Sequence, residues 1–141
     1  MTDVTKLVQE FEQATEVFQA TMKVEMKRLF KEFFEQNPDV AALVWVQYTP
    51  YYCDGEPCYF GRFEMFTANA EQLKELREGN IGLWDLEYDA NGDAKEVSAN
   101  AEKSIGELET IPSEIYEDAF GDHCRVIATK DGFDIEEYEH D

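Results

Sequence analysis

Three cysteines and two histidines are the side chains of this chain best suited to hold a transition metal. They are Cys53, Cys58, His123, Cys124 and His140. A structural zinc site needs four Cys or His ligands in tetrahedral geometry, with about two to four residues between paired cysteines. The pair in "CDGEPC" lies at the edge of that spacing, and the C-terminal residues offer no second clean pair. The sequence therefore favours small apolar thiols at the two ends of a turn, and it predicts no metal site.

The odd number of cysteines bears on the redox state. The N-terminal stretch "MTDVTKLVQEFEQ" has neither a basic start nor an apolar block, unlike a secretory signal peptide. Disulfides persist mainly in oxidising compartments. The sequence therefore predicts a cytoplasmic protein with reduced thiols. A disulfide between Cys53 and Cys58 is geometrically feasible but would need a compartment that the chain does not indicate.

Residues 89–100, "DANGDAKEVSAN", begin like a calcium-binding loop. Asp89, Asn91 and Asp93 occupy positions one, three and five. The pattern then fails, because Ala94 replaces the glycine and Asn100 replaces the bidentate glutamate that such a loop requires. A turn built on Asn-Gly is the better interpretation.

No catalytic residue stands out. The chain has no phosphate loop, dinucleotide fingerprint or nucleophile elbow. His123 and Cys124 are neighbours, and adjacent residues of a strand point to opposite faces, so they cannot form a nucleophile–base pair there. The expected C-terminal position of His140 is a mobile tail. The sequence leans away from an enzyme and predicts no cofactor.

The charge is the most unusual property of the chain. There are 32 acidic residues against 12 basic ones, a net charge of −20, and residues 81–141 alone carry eighteen acids and four bases. Such a field repels nucleic acid and anionic lipid and favours a basic protein surface. Solubility alone is the alternative. The expected partner-binding acids are Glu114, Glu117 and Asp118 on a helix, and Asp134, Glu136, Glu137 and Glu139 on the C-terminal hairpin.

Residues 42–66, "ALVWVQYTPYYCDGEPCYFGRFEMF", predict an aromatic hairpin with strands at 41–49 and 58–67. Pairing Cys53 with Cys58 places Val44, Val46, Tyr48, Tyr52, Tyr59, Phe63 and Met65 on a core face. The other face would carry Trp45, Tyr51, Phe60 and Phe66 around Arg62, as a candidate contact surface. The sequence favours the alternative that a helix covers this second face.

The remaining elements frame that hairpin. Apolar residues recur at helical spacing over 4–36, and Pro38 ends the pattern. At about 1.5 Å per residue this helix would be roughly 50 Å long, so one end is expected to project or to pack on a second copy as a homodimer. Further predictions are a helix at 69–80, a strand at 81–93, a weak helix at 94–109, a helix at 111–120 capped by Ser113, and a hairpin around Asp131-Gly132. Together they predict a single α+β domain over 1–141, with helices on one face of an antiparallel sheet and no membrane span.

Two segments carry a resemblance. "WVQYTPYYCDGEPC" and "FGDHCRV…KDGFDIEEYEHD" resemble a group of small acidic proteins of unknown function from phage and bacterial genomes. That group has a similar W-x-Q-Y-T-P-Y-F-N-D-G-x-P-C hairpin and a similar C-terminal G-D-H…D-G…Y-x-H-D. This chain departs from it at Tyr52-Cys53, where the group tends to show Phe-Asn. The resemblance implies a phage-encoded protein acting in the host cytoplasm, and it brings no activity or site residue.

These expectations combine into a functional hypothesis. The chain is predicted to be a non-enzymatic acidic binding protein that occupies a basic, nucleic-acid-binding surface of a host protein. The alternative is a small-molecule or metal-binding domain that uses the hairpin 45–66. Charge-driven binding weakens steeply with salt, whereas binding in an aromatic pocket does not.

Overall fold

The computed structural model describes residues 3–140 and has the predicted α+β architecture. Helix α1 spans Asp3–Gln36 as one unbroken helix. It ends where expected, because the side chain of Asn37 donates to the carbonyl of Phe33 and Pro38 follows. No helix within residues 3–140 is long and apolar enough to cross a membrane.

Five antiparallel strands form the sheet, in the spatial order β2-β1-β4-β5, with β3 also paired to β1. Their bounds are β1 Ala42–Tyr48, β2 Gly61–Arg62, β3 Phe66–Ala68, β4 Cys124–Thr129 and β5 Gly132–Glu137. The central strand β1 therefore pairs with the C-terminal hairpin on one side and with the remainder of its own hairpin on the other.

Both faces of this sheet are covered, so the expectation of helices on one face is wrong. On one face, Trp45 and Val126 pack against Phe30 of α1 and Tyr116 of a later helix. On the other face, a second cluster packs under shorter helices; it comprises Ala42, Val44, Val46, Phe66, Ala68, Leu76, Leu83, Leu86 and Ile127. Residues 42–46 are an uninterrupted apolar run for this reason, since a strand buried on both faces does not alternate.

The predicted register of the aromatic hairpin is also wrong. Gln47 pairs with Arg62, whereas Val44 pairs with Phe66, so three residues on the second strand oppose two on β1. This extra residue is a bulge, and it exchanges the faces of the side chains beyond it. As a result Met65 is buried beside Trp45 and Phe66 lies on the other face. Phe63 stays on the predicted side and stacks on Tyr48, but it is 37% exposed. Tyr52 and Tyr59, also expected in the core, are exposed.

Four shorter elements follow the hairpin. They are α2 Ala70–Arg77, a 3-10 helix at Leu83–Glu87, α3 Ala99–Glu109 and α4 Ser113–Phe120. The predicted helix at 69–80 is α2, and the side chain of Asn69 caps its start. The strand predicted at 81–93 is wrong, because the carboxylate of Asp85 accepts from the backbone N–H of Gly82 and closes a helical turn instead. The predicted cap of α4 is also wrong: Pro112 holds that position, and Ser113 is the first helical residue.

The C-terminal hairpin is confirmed. Thr129 pairs with Gly132 across a two-residue turn, and Gly132 has a φ of 140°, which favours glycine. Val126 and Ala128 are paired with Ile135 and Phe133, on the face that packs on α1.

Candidate functional site

The predicted acidic residues do not form one surface. On α4, Ile115 and Tyr116 are buried, which leaves Glu114, Glu117 and Asp118 on the exposed side of the helix. On β5, Asp134 and Glu136 lie opposite Ile127 and Arg125, on the sheet face that α4 does not cover. Glu137 alternates to the face shared with α4. Six of the seven acids are therefore divided between the two sides of the sheet, and Glu139 follows the end of β5.

Ion pairs within the chain occupy three of these acids. Asp118 pairs with Lys23 of α1, with an N–O distance of 3.0 Å. Asp134 pairs with Arg77, and Glu136 pairs with Arg125. None of the ion pairs found in residues 3–140 includes Glu114, Glu117, Glu137 or Glu139. The acids with the greatest freedom to meet a partner are thus these four.

The aromatic hairpin face is core, not a contact surface. Trp45 is fully buried, and Phe66 is buried on the opposite side of the sheet because of the bulge. Phe60 is half-buried. Of the predicted aromatic contact residues, only Tyr51 is exposed. The favoured alternative, that helices cover this face, is confirmed for Trp45.

The side chain of Arg62 also packs against the core. Its guanidinium lies 5.0 Å from the centre of the Tyr116 ring and donates to the carbonyls of Phe63 and Glu109. Its Nε atom is buried with no hydrogen-bond partner. Burial raises the pKa of the Tyr116 hydroxyl, which donates to the carbonyl of Leu108. Arg62 therefore fixes the bulge to α3 and α4, and it does not face a partner.

A buried polar network lies beneath Trp45. The indole Nε1 of Trp45 donates to Gln47 Oε1, at 3.0 Å. The amide nitrogen of Gln47 donates to the carbonyls of Tyr116 and Gly121, at 2.9 and 2.7 Å. Gln47 thus satisfies the end of α4 and the indole together. Its position within an apolar strand is the signal in the sequence for this role.

A histidine–tyrosine cluster stands at the end of the sheet where β1 leaves it. Its members are Tyr48, Tyr51, His123, Tyr138 and His140. His123 Nδ1 lies 2.7 Å from His140 Nε2, so one imidazole donates a hydrogen bond and the other accepts it. Tyr48 and Tyr51 stack on the ring of His140 with centroid distances of 3.8 and 4.4 Å. His140 therefore contacts the end of the sheet, where the sequence predicted a mobile tail.

Asp122 joins the same region to β1. Its carboxylate accepts from the backbone N–H and the hydroxyl of Thr49 and from the backbone N–H of His123. Burial acts to raise the pKa of Asp122, but these hydrogen bonds to the charged form outweigh it, and the pKa is lowered. The two segments that carry the resemblance, which begin at Trp45 and at Phe120, thus meet through Gln47, Asp122 and the cluster. Sequence reasoning missed this, because the contacts join residues about 70 or more positions apart.

The cysteines do not provide a metal site. Cys53 and Cys58 form a disulfide with a Cα–Cα distance of 5.5 Å, so the expectation of three reduced thiols is wrong. Cys124 is a free thiol, buried against the end of α4, and burial raises its pKa. Within residues 3–140 no group of three or more His, Cys, Asp or Glu side chains could hold a metal ion. The calcium-like loop is a turn, in which Asp89 accepts from the backbone N–H groups of Asn91 and Asp93.

A cavity of about 880 Å³ lies between α2 and the loop before α3. Lys95 reaches into its wall and donates to the carbonyl of Thr67 and to Gln72 Oε1. Burial lowers the pKa of Lys95. Glu71, Glu75 and Asp85 also line the cavity. Lys95 has protein acceptors already, and it serves to fasten the loop to α2.

The first half of α1 exposes a group of apolar side chains. Val4, Leu7, Val8, Phe11 and Phe18, named here the N-terminal stripe, are all exposed, with Phe11 at 72%. Every side chain from residue 3 to residue 14 is exposed. This half of the helix therefore does not pack on the rest of the chain, as both predicted alternatives, projection and packing on a second copy, require. Comparison of the chain with protein-family models, with curated proteins and with solved structures found no match.

Proposed function

We propose that this protein is a non-enzymatic binding protein that contacts a basic surface of another protein. The observation that carries the proposal is the combination of a net charge of −20 with exposed acids on α4 and after β5 that form no ion pair within residues 3–140. Glu114 and Glu117 lie one helical turn apart on the outer side of α4. Like charges held this close repel each other, and a cationic surface would relieve that repulsion.

The resemblance to acidic phage proteins extends the proposal to a phage-encoded inhibitor in the host cytoplasm. A surface that binds nucleic acid is basic, and an acidic protein can occupy it without binding nucleic acid itself. A homodimer formed through α1 is an alternative use of the exposed first half of that helix. The alternative of a small-molecule or metal site on the hairpin has less support, because Trp45 is buried and the cysteines are joined.

The test is a pull-down from bacterial lysate with matched charge variants. The test variant reverses Glu114, Glu117, Glu137 and Glu139 to Lys. Asp118 is left unchanged, because its reversal would place a cation beside Lys23. The control variant makes the same change of charge at exposed acids elsewhere, namely Glu71, Glu78, Glu102 and Glu107.

A basic partner captured at about 0.05 M salt is expected to be lost at about 0.5 M, since screening acts over roughly 4 Å there. The test variant should lose it at low salt as well, through a slower association rate, and the control variant should retain most of it. Equal capture by both variants at both salt concentrations would show that the acidity serves only solubility.

A further inference from the structure

The N-terminal stripe continues the face of α1 that packs on the core. Val4, Val8 and Phe11 stand eighteen residues before Met22, Met26 and Leu29. Eighteen residues make five full helical turns, so the two sets point in the same direction. Met26 is buried, and Met22 and Leu29 pack at the edge of the core. The stripe therefore continues the edge of the buried face, whereas Glu12 and Glu16 stand in line with the buried Phe30 and Phe34.

An uncovered face of this kind needs a partner. An isolated helix of about five turns is marginally stable in water, and most helical stability comes from packing of the apolar face. Contiguous exposed apolar side chains usually mark a contact site. Val17 and Val24 are as exposed as the stripe but lie on the opposite side of the helix, where single apolar residues are ordinary.

The charges beside the stripe indicate the partner's chemistry. Residues 3–21 carry four acids, Asp3, Glu10, Glu12 and Glu16, and one base, Lys6. At about 100° per residue, Glu12 borders one side of the stripe and Asp3 and Glu10 border the other, while Glu16 and Lys6 lie further round the helix. None of the ion pairs within residues 3–140 includes these four carboxylates. A second copy of α1 would bring acids against acids.

We propose that the N-terminal stripe is the docking face for an amphipathic helix of another protein whose apolar stripe is bordered by Lys and Arg. The inference rests on the proposed function, since it specifies the basic partner. Apolar contact would supply affinity, and the cationic borders would select this partner over a second copy. At about 1.5 Å per residue, a partner helix of about 18 residues would match the exposed half of α1.

Three synthetic 18-residue probes separate the components of this contact. The first is an amphipathic Leu/Lys helix, the second has the same Leu positions with Glu in place of Lys, and the third has the same Lys number with Ser in place of Leu. The stripe variant is Leu7→Gln with Phe11→Gln, and the matched off-stripe control is Val17→Gln with Val24→Gln. Neither pair changes the net charge.

Binding measured by fluorescence anisotropy should follow the stripe. The Leu/Lys probe is expected to bind the natural chain and the off-stripe control equally, and to bind the stripe variant at least tenfold more weakly. Replacing Glu10, Glu12 and Glu16 by Gln should make the salt dependence shallower. The Leu/Glu probe should not bind. Circular dichroism confirms that each variant retains its helix.

Several results would overturn the inference. If the Leu/Lys probe binds the stripe variant and the off-stripe control equally, the docking face lies elsewhere, while the proposed function stands. If sedimentation shows a dimer at tens of micromolar that the stripe variant abolishes, the occupant is a second copy. If neither Lys-containing probe binds at low salt, and the lysate yields no basic partner, the proposed function fails as well.

Discussion

The two halves of helix α1 have the same apolar periodicity and different surroundings. In the second half, Phe30 lies 5.5 Å from Trp45 and 5.3 Å from Phe133, in near-parallel and edge-on contact. In the first half, Phe11 stands in line with Leu29, at the edge of the buried face, and points into solvent. A hydrophobic stripe therefore predicts which face of a helix can be buried, but it does not identify the molecule that covers that face.

The largest expected effect tests this contrast with one residue type. Phe30→Ala should destabilise the protein by about 3–5 kcal/mol, because it removes a buried ring between two others. Phe11→Ala should change the free energy of unfolding by less than about 0.5 kcal/mol in the isolated protein. Urea unfolding of both variants measures the difference. Similar losses in both would mean that the first half of α1 is already covered, for example by a second copy.

The next effect concerns the polar centre of the buried half. Gln47→Leu should cost about 2–4 kcal/mol, because the Trp45 indole N–H and the carbonyls of Tyr116 and Gly121 lose their partner. Gln9→Leu on the exposed half of α1 is the matched control and should be nearly neutral. If both substitutions are neutral in urea unfolding, a water molecule replaces the amide of Gln47.

The elements that the sequence predicted correctly are those that depend on short-range interactions. Helix α1, the capped start of α2 and the C-terminal hairpin were predictable, since each depends on neighbours within a few positions: the stripe, the Asn69 cap and the Asp131-Gly132 turn. The bulge between Phe63 and Met65 was not predictable, because an alternating pattern of residues does not show where a strand contains one extra residue. The segment 81–93 alternates like a strand, yet the Asp85 carboxylate and burial of Leu83 and Leu86 favour a helical turn.

The candidate site was predictable only in part. Composition alone gave the acidity, but the division of the acids between two faces depends on β5 pairing with β4. The ion pairs of Asp118, Asp134 and Glu136 join distant elements, so they were invisible in the sequence. The same holds for His123 and His140, which stand seventeen positions apart and meet only because Tyr138 pairs back onto the His123 carbonyl.

A smaller effect is expected at the tip of the aromatic hairpin, which lies outside both cores. The disulfide between Cys53 and Cys58 closes a short loop, so its reduction should cost about 2 kcal/mol or less. The core strands should remain folded. Thiol titration of the denatured, unreduced protein should find the single thiol of Cys124. Three thiols would show that the purified protein is reduced, in agreement with a reducing compartment.

The smallest expected effect is a change of stability with pH that originates at the end of the sheet and not in helix α1. The pKa of Asp122 is lowered from its ordinary value of 3.8, so the folded state favours the carboxylate more than the unfolded state does. The resulting stabilisation is fully present above the unfolded pKa and is lost as the pH falls through the lower folded pKa. Asp122→Asn should therefore destabilise the protein at pH 6, and the difference from the natural chain should shrink below about pH 4.

Thr49→Val is the matched variant for this last prediction, because it removes one hydrogen bond to Asp122 and retains the carboxylate. It should raise the pKa of Asp122 toward its ordinary value, as followed by the carboxyl carbon in an NMR titration. Neither substitution touches α1, so binding of the Leu/Lys probe to the N-terminal stripe should be unchanged. A loss of that binding in Asp122→Asn would show that the docking face of α1 and the end of the sheet form one surface.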